Sequence, residues 1–191
     1  MKLRLSSVFL AAVLCAAAGT VLHAQQPPGV VEALRGICSQ PANHTSFTFD
    51  HNMLQAAEGY LDDGSSGKSA IAALNSITVE NYHYHEPVFY LPESMSALVA
   101  AYNAAGWKHL VNQNASPRDS ASPHAPITDL WLHFQGGEIE DVTVLVRGQR
   151  EMNVIEVSGV LSPLDLVHLS GHFGIPKVDP NAVMVPAPPG K

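Results

Sequence analysis

A chain of 191 residues with 46% hydrophobic and 14% charged side chains has enough apolar mass for one sizeable core. Its formal charge of −7, with no cluster of Lys and Arg past the first few residues, argues against binding to nucleic acid or anionic lipid, which needs concentrated basic charge. Two cysteines, Cys15 and Cys38, exclude a disulfide framework.

Lys2 and Arg4 precede an apolar run over residues 8–21, and Leu22-His23-Ala24 ends it on a small residue. That pattern predicts a signal peptide over residues 1–24, cut after Ala24, and a periplasmic or secreted mature protein. The run is shorter than the roughly 20 residues that span a bilayer, so membrane contact is expected only through the uncleaved segment. Leu14 stands before Cys15 where a lipid-attachment site wants a small residue, and Cys15 reads as part of the apolar signal core. Cleavage leaves 8 basic and 17 acidic side chains, a formal charge of −9, with Cys38 as the one remaining thiol.

Residues 25–46 carry Pro27, Pro28, Gly29 and Pro41 without periodicity and read as linker, with one short helix over 30–37. A single domain is expected over 47–178. Asp50 suits a helix N-cap, and Met53, Leu54, Ala57 and Leu61 recur at helical spacing until Asp62-Asp63-Gly64. Helical spacing resumes over 68–74, and the β-branched and aromatic run over 77–86 predicts a strand. Pro92 opens the next helix, with Met95, Leu98, Val99 and Tyr102 as its apolar stripe and Gly106 past its end. Residues 107–111 read as a strand, and 112–126, rich in Pro, Ser and Asn, as a mobile loop.

Leu130, Leu132 and Phe134 alternate on one face, Gly136-Gly137 supply a tight turn, and Val142, Val144 and Val146 continue the alternation. Gly148-Gln149-Arg150 turns into a strand over 152–160. Ser162-Pro163-Leu164-Asp165 then matches a helix start, with Ser as cap, Pro first and a carboxylate at the positive end. Residues 179–191, with Pro180, Pro186, Pro188 and Pro189, read as a disordered tail. The order predicts an α+β fold: a two-layer sandwich in which helices cover one face of a mostly antiparallel sheet of about five strands.

Reactive groups are sparse. His83 and His85 fall on one strand face, about 6–7 Å apart, a spacing that two metal ligands tolerate. His168 and His172 are four apart, but Gly171 between them predicts a helix end. His51 and His133 are expected to face solvent. The acidic pairs Asp62-Asp63 and Glu138/Glu140-Asp141 lie beside turns, where solvated carboxylates are ordinary. There is no Gly-x-Ser-x-Gly turn, and no catalytic, cofactor or metal residue is assigned. Tyr82, Tyr84, Phe89, Tyr90 and Trp107 are expected mainly in packing. Trp131, which alternates away from Leu130 and Leu132 and shares its face with Asp129 and His133, is expected on an open sheet face as a binding residue.

The strand containing Tyr82, then Phe89-Tyr90, Gly106-Trp107-Lys108-His109-Leu110-Val111, the Gly136-Gly137 hairpin, Ser158-Gly159, Leu164-Asp165-Leu166 and Gly174-Ile175-Pro176 follow one another in an order that resembles the domain of unknown function 4252 family of exported bacterial proteins. The resemblance spans about residues 47–176. It implies export and transfers no functional residue; the long 112–126 segment and the Pro-rich tail depart from the family pattern. The expected function is that of an exported, non-enzymatic binding or interaction module of the cell envelope, its partner a protein or small molecule and not nucleic acid. The alternatives are a metal-binding protein acting through His83 and His85, and a hydrolase with an unfamiliar site.

Overall fold

Glycines and alternation fix the middle of the sheet. In the computed structural model, which describes residues 26–27, 29–38, 40–57, 68, 70–112, 117–172, 175 and 184–186, Gly136 and Gly137 adopt φ of 61° and 96°. Two successive positive φ values make the mirror-image turn whose twist matches a two-residue hairpin. Gln135 accordingly pairs with Glu138 across it.

The elements in chain order are α1 (Val30–Arg35), β1 (Ala42–Asp50), α2 (His51–Ala57), β2 (Leu74–Tyr84), α3 (Pro92–Ala104), β3 (Lys108–Asn112), α4 (Pro117–Ala121), β4 (Ile127–Gln135), β5 (Glu138–Arg147), β6 (Glu151–Leu161), α5 (Pro163–Leu169) and β7 (Met184–Pro186). The strands form one sheet in the order β1-β2-β6-β5-β4-β3-β7, every neighbouring pair antiparallel. The α+β sandwich with an antiparallel sheet is therefore present, with seven strands where about five were expected.

The two additional strands come from segments expected to lack structure. Residues 42–46, within the expected linker, form half of β1 and pair with β2 from Ala42↔Tyr84 onward. Earlier in that segment α1 buries Val30 and Leu34. Residues 184–186, in the expected tail, pair with β3. The expected mobile loop also contains α4, whose Ala121 is buried and accepts a hydrogen bond from the Tyr90 N–H at 2.8 Å. The expected signal segment, Leu61, Asp62-Asp63-Gly64 and the rest of the tail lie outside the described residues. Among the described residues no helix is long and apolar enough to cross a membrane.

Helix ends follow the cap chemistry read from the sequence. The Met53 N–H donates to Asp50 Oδ1 at 2.9 Å at the start of α2. At α5 the Ser162 N–H donates to Asp165 Oδ2 at 2.8 Å and the Asp165 N–H returns a bond to Ser162 Oγ at 3.2 Å, a reciprocal box that satisfies two otherwise orphaned donors. Gly106, at φ 83°, ends α3, and Gly171, at φ 85°, follows α5. His168 and His172 thus do not share a helix.

Apolar residues pack on both sheet faces, where one covered face was expected. On one, Val30 and Leu34 of α1 and Leu98 and Tyr102 of α3 meet Tyr84, Trp131, Leu145, Met152 and Val154. The other joins Leu54 of α2, Ile71 and Leu169 of α5 to Ile77, Leu132, Val142, Val144, Ile155 and Val157. Alternate residues of β4, β5 and β6 therefore enter different cores. Trp131, expected on an open face, is fully buried between Tyr102 and His109, at ring-centroid distances of 4.6 Å to each. The reason is α3, which carries the chain from β2 to β3 across that face and roofs it.

Candidate functional site

A groove with convergent polar groups lies beside this first core. Cross-strand pairing sets its floor: His44 opposes Tyr82 and Ala42 opposes Tyr84 on β1 and β2, while Tyr82 opposes Met152 on β6. Period-2 geometry directs Ala42, His44, Glu80, Tyr82, Tyr84, Met152 and Glu156 to one face. The α1 helix and the chain after it, with Val31, Leu34, Arg35, Cys38 and Gln40, form the wall, and Gln26 closes one end. The result is an open groove of about 360 Å³, within the range of small-ligand sites.

Its groups hold one another in place. The Tyr82 hydroxyl donates to Glu80 Oε2 at 2.8 Å, and the His44 ring stacks on Tyr82 at 4.4 Å with its Nε2 3.6 Å from the same Glu80 oxygen. Cys38 Sγ donates to the Tyr84 hydroxyl at 3.1 Å. Gln26 joins the groove to the core, its amide nitrogen donating to Glu156 Oε1 at 2.5 Å and its oxygen accepting from the Tyr102 hydroxyl at 2.6 Å. Burial, then the hydrogen bond to Glu80, pushes the Tyr82 phenol well above its ordinary range; burial, then Cys38, does the same for Tyr84. Both remain neutral phenols at physiological pH, able to donate or accept. Glu80 and Glu156 are half-buried carboxylates and Arg35 is an exposed cation at the rim.

A second polar constellation is sealed inside the same face. Asp129 of β4 accepts from His109 Nε2 at 3.1 Å and from Arg147 Nη2 and Nε at 2.9 and 3.2 Å. Arg147 also donates to the Ser120 carbonyl at 2.6 Å and lies with Cζ 5.4 Å from the Tyr90 ring centre. Burial alone would raise the Asp129 carboxyl, but His109 and Arg147 more than offset it and hold the group below the usual carboxylate range. Arg147 is 1% exposed and Asp129 3%, so the triad is a buried tie among β3, β4, β5 and α4.

The histidines singled out in the sequence are scattered. His83 is exposed and 3.7 Å from Glu151, and His85, also exposed, lies beyond the end of β2. The tyrosines between and before them point inward, as a polar strand face requires. His51, although exposed, contacts the Leu74 carbonyl at 2.7 Å through Nδ1. His133 departs furthest from expectation: it is half-buried, stacked on Trp107 at 5.2 Å, and converges with Glu140 and Asp141. Sequence reasoning missed the groove because its lining comes from five separate stretches of chain, and no spacing within any one of them signals the others. No family model, curated protein or solved structure matches the chain.

Proposed function

We propose that this chain is an exported, non-catalytic binding module of the cell envelope, and that its ligand lies in the groove between α1 and the β1-β2-β6 surface. The observation that carries the reading is the groove's make-up: Val31, Leu34, Ala42 and Met152 offer apolar surface, while Glu80, Tyr82, Arg35 and Gln40 offer fixed polar groups. Ligand sites characteristically combine apolar lining with a few oriented polar groups. The ligand that fits has an apolar body and hydrogen-bonding ends. Export is supported by the sequence alone, through the basic residues Lys2 and Arg4, the apolar run over residues 8–21 and the small residue Ala24.

A thermal-shift screen with free amino acids, short peptides, sugars and fatty acids tests this. A ligand present at 100 times its Kd raises stability by about 2.7 kcal/mol. Tyr82→Ala and Glu80→Gln should remove the shift produced by any stabilising compound. A compound that stabilises wild type and both variants equally binds elsewhere and overturns the groove assignment, as does a screen in which no class stabilises the wild type.

A further inference from the structure

We propose that His133, Glu140 and Asp141 bind a divalent transition cation of the zinc class, at a site separate from the groove. One ligand atom from each residue lies within 4.8 Å of the other two. The backbone explains why two consecutive carboxylates converge. His133 pairs with Asp141 and Phe134 with Ile139, so Glu140 is an extra residue on β5 with no partner on β4. Such a bulge breaks strict alternation and re-aims a side chain, which brings Glu140 to the side of its neighbour Asp141. In a regular strand the two would point to opposite faces.

The surroundings are those of a held ligand set. Trp107, buried, stacks on the His133 ring at an interplanar angle of 22° and fixes its plane. His133 Nδ1 is buried, faces Asp141 Oδ2 at 3.5 Å and has no hydrogen-bond partner among the described residues. A buried ring nitrogen left so is costly unless something else satisfies it. The Gln135 amide lies against the Glu140 carboxylate, and with its nitrogen on that side it would donate to both oxygens and orient that side chain. One imidazole and two carboxylates suit Zn²⁺ and its first-row neighbours, and three protein ligands leave a further position for water. Ligand atoms around a tetrahedral zinc stand about 3.4 Å apart, so each atom has to close in by less than about 1 Å.

Calorimetric titration of the full-length mature chain with Zn²⁺ alone tests the proposal. One equivalent should bind, with a Kd in the micromolar range or below. Asp141→Asn and Glu140→Gln, which keep side-chain size and so preserve the fold, should each weaken binding at least tenfold, and His133→Ala should abolish it. The double variant His83→Ala/His85→Ala should bind as wild type does. Absence of stoichiometric binding, or binding that survives Asp141→Asn and Glu140→Gln together, overturns the assignment. Loss of binding in the His83/His85 variant alone moves the site to the other pair and overturns it equally. If His133→Ala does not fold, the two isosteric variants decide the matter.

Discussion

Converting Asp129 to Asn removes the only carboxylate that the described structure sets against the Arg147 guanidinium, while leaving the side-chain volume almost unchanged. Arg147 is 1% exposed, so water does not replace the lost charge. Breaking a buried pair in this way costs about 3–5 kcal/mol, because a desolvated cation is left behind. With a urea slope of about 2 kcal/mol/M for a domain of this size, the unfolding midpoint should fall by about 2 M. Tryptophan fluorescence reports it directly, since Trp131 stacks on His109, which binds Asp129. Replacing both partners with apolar residues, Asp129→Leu with Arg147→Met, should cost less than the sum of the single changes, with a coupling of about 2 kcal/mol or more. The pH dependence has a definite sign. A carboxyl held lower in the folded than in the unfolded state contributes stability above the unfolded pKa of about 3.9, and loses it as pH falls through the folded value. Wild type should therefore lose stability below about pH 4 more steeply than Asp129→Asn. A loss under about 1 kcal/mol for Asp129→Asn, or strictly additive single changes, would refute the account of a buried pair.

Other positions give sharper local tests. Gly159 has φ of 156°, and a Cβ there would run into the Ala73 carbonyl oxygen and lie 2.8 Å from Leu74 Cα. Gly159→Ala should cost about 3 kcal/mol and lower Tm by about 6–12 °C in a calorimetric melt. Trp131→Ala should cost about 3–5 kcal/mol in urea unfolding; Trp131→Phe, which keeps a ring and removes an indole N–H with no acceptor among the described residues, should cost under about 2 kcal/mol. Equal losses in the two would contradict a packing role. Ser162→Ala should cost about 1 kcal/mol and speed hydrogen exchange in the first turn of α5, with little change elsewhere.

The elements legible in the sequence are those whose signals are local. The Gly136-Gly137 turn, the alternation through β4 and β5, and the caps at Asp50 and Ser162 each depend on residues within a few positions of one another. β1 was not legible because Asn43, His44, Thr45 and Ser46 show no apolar alternation; as an outer strand it is held mainly by backbone bonds to β2. Trp131 was misplaced for a related reason. Asp129 beside it looked like the mark of a solvated face, but its charge is met by Arg147, 18 residues away, and α3 covers the surface. The convergence of His133 with Glu140 and Asp141 depends on a one-residue register shift, and composition carries no trace of that.

The position of β6 bears on how the protein comes to fold. It is the next-to-last strand in the chain, yet it sits between β2 and β5 and joins the two halves of the sheet. Its hairpin with β5 closes through three residues, whereas its seam with β2 brings Leu74 to Gly159. Such distant pairing has to close a long loop before any contact rewards it, which slows folding. A chain emerging gradually from a ribosome or a membrane channel cannot unite the halves until residues 151–161 are free. Any truncation before them should leave two sheet fragments that fail to assemble.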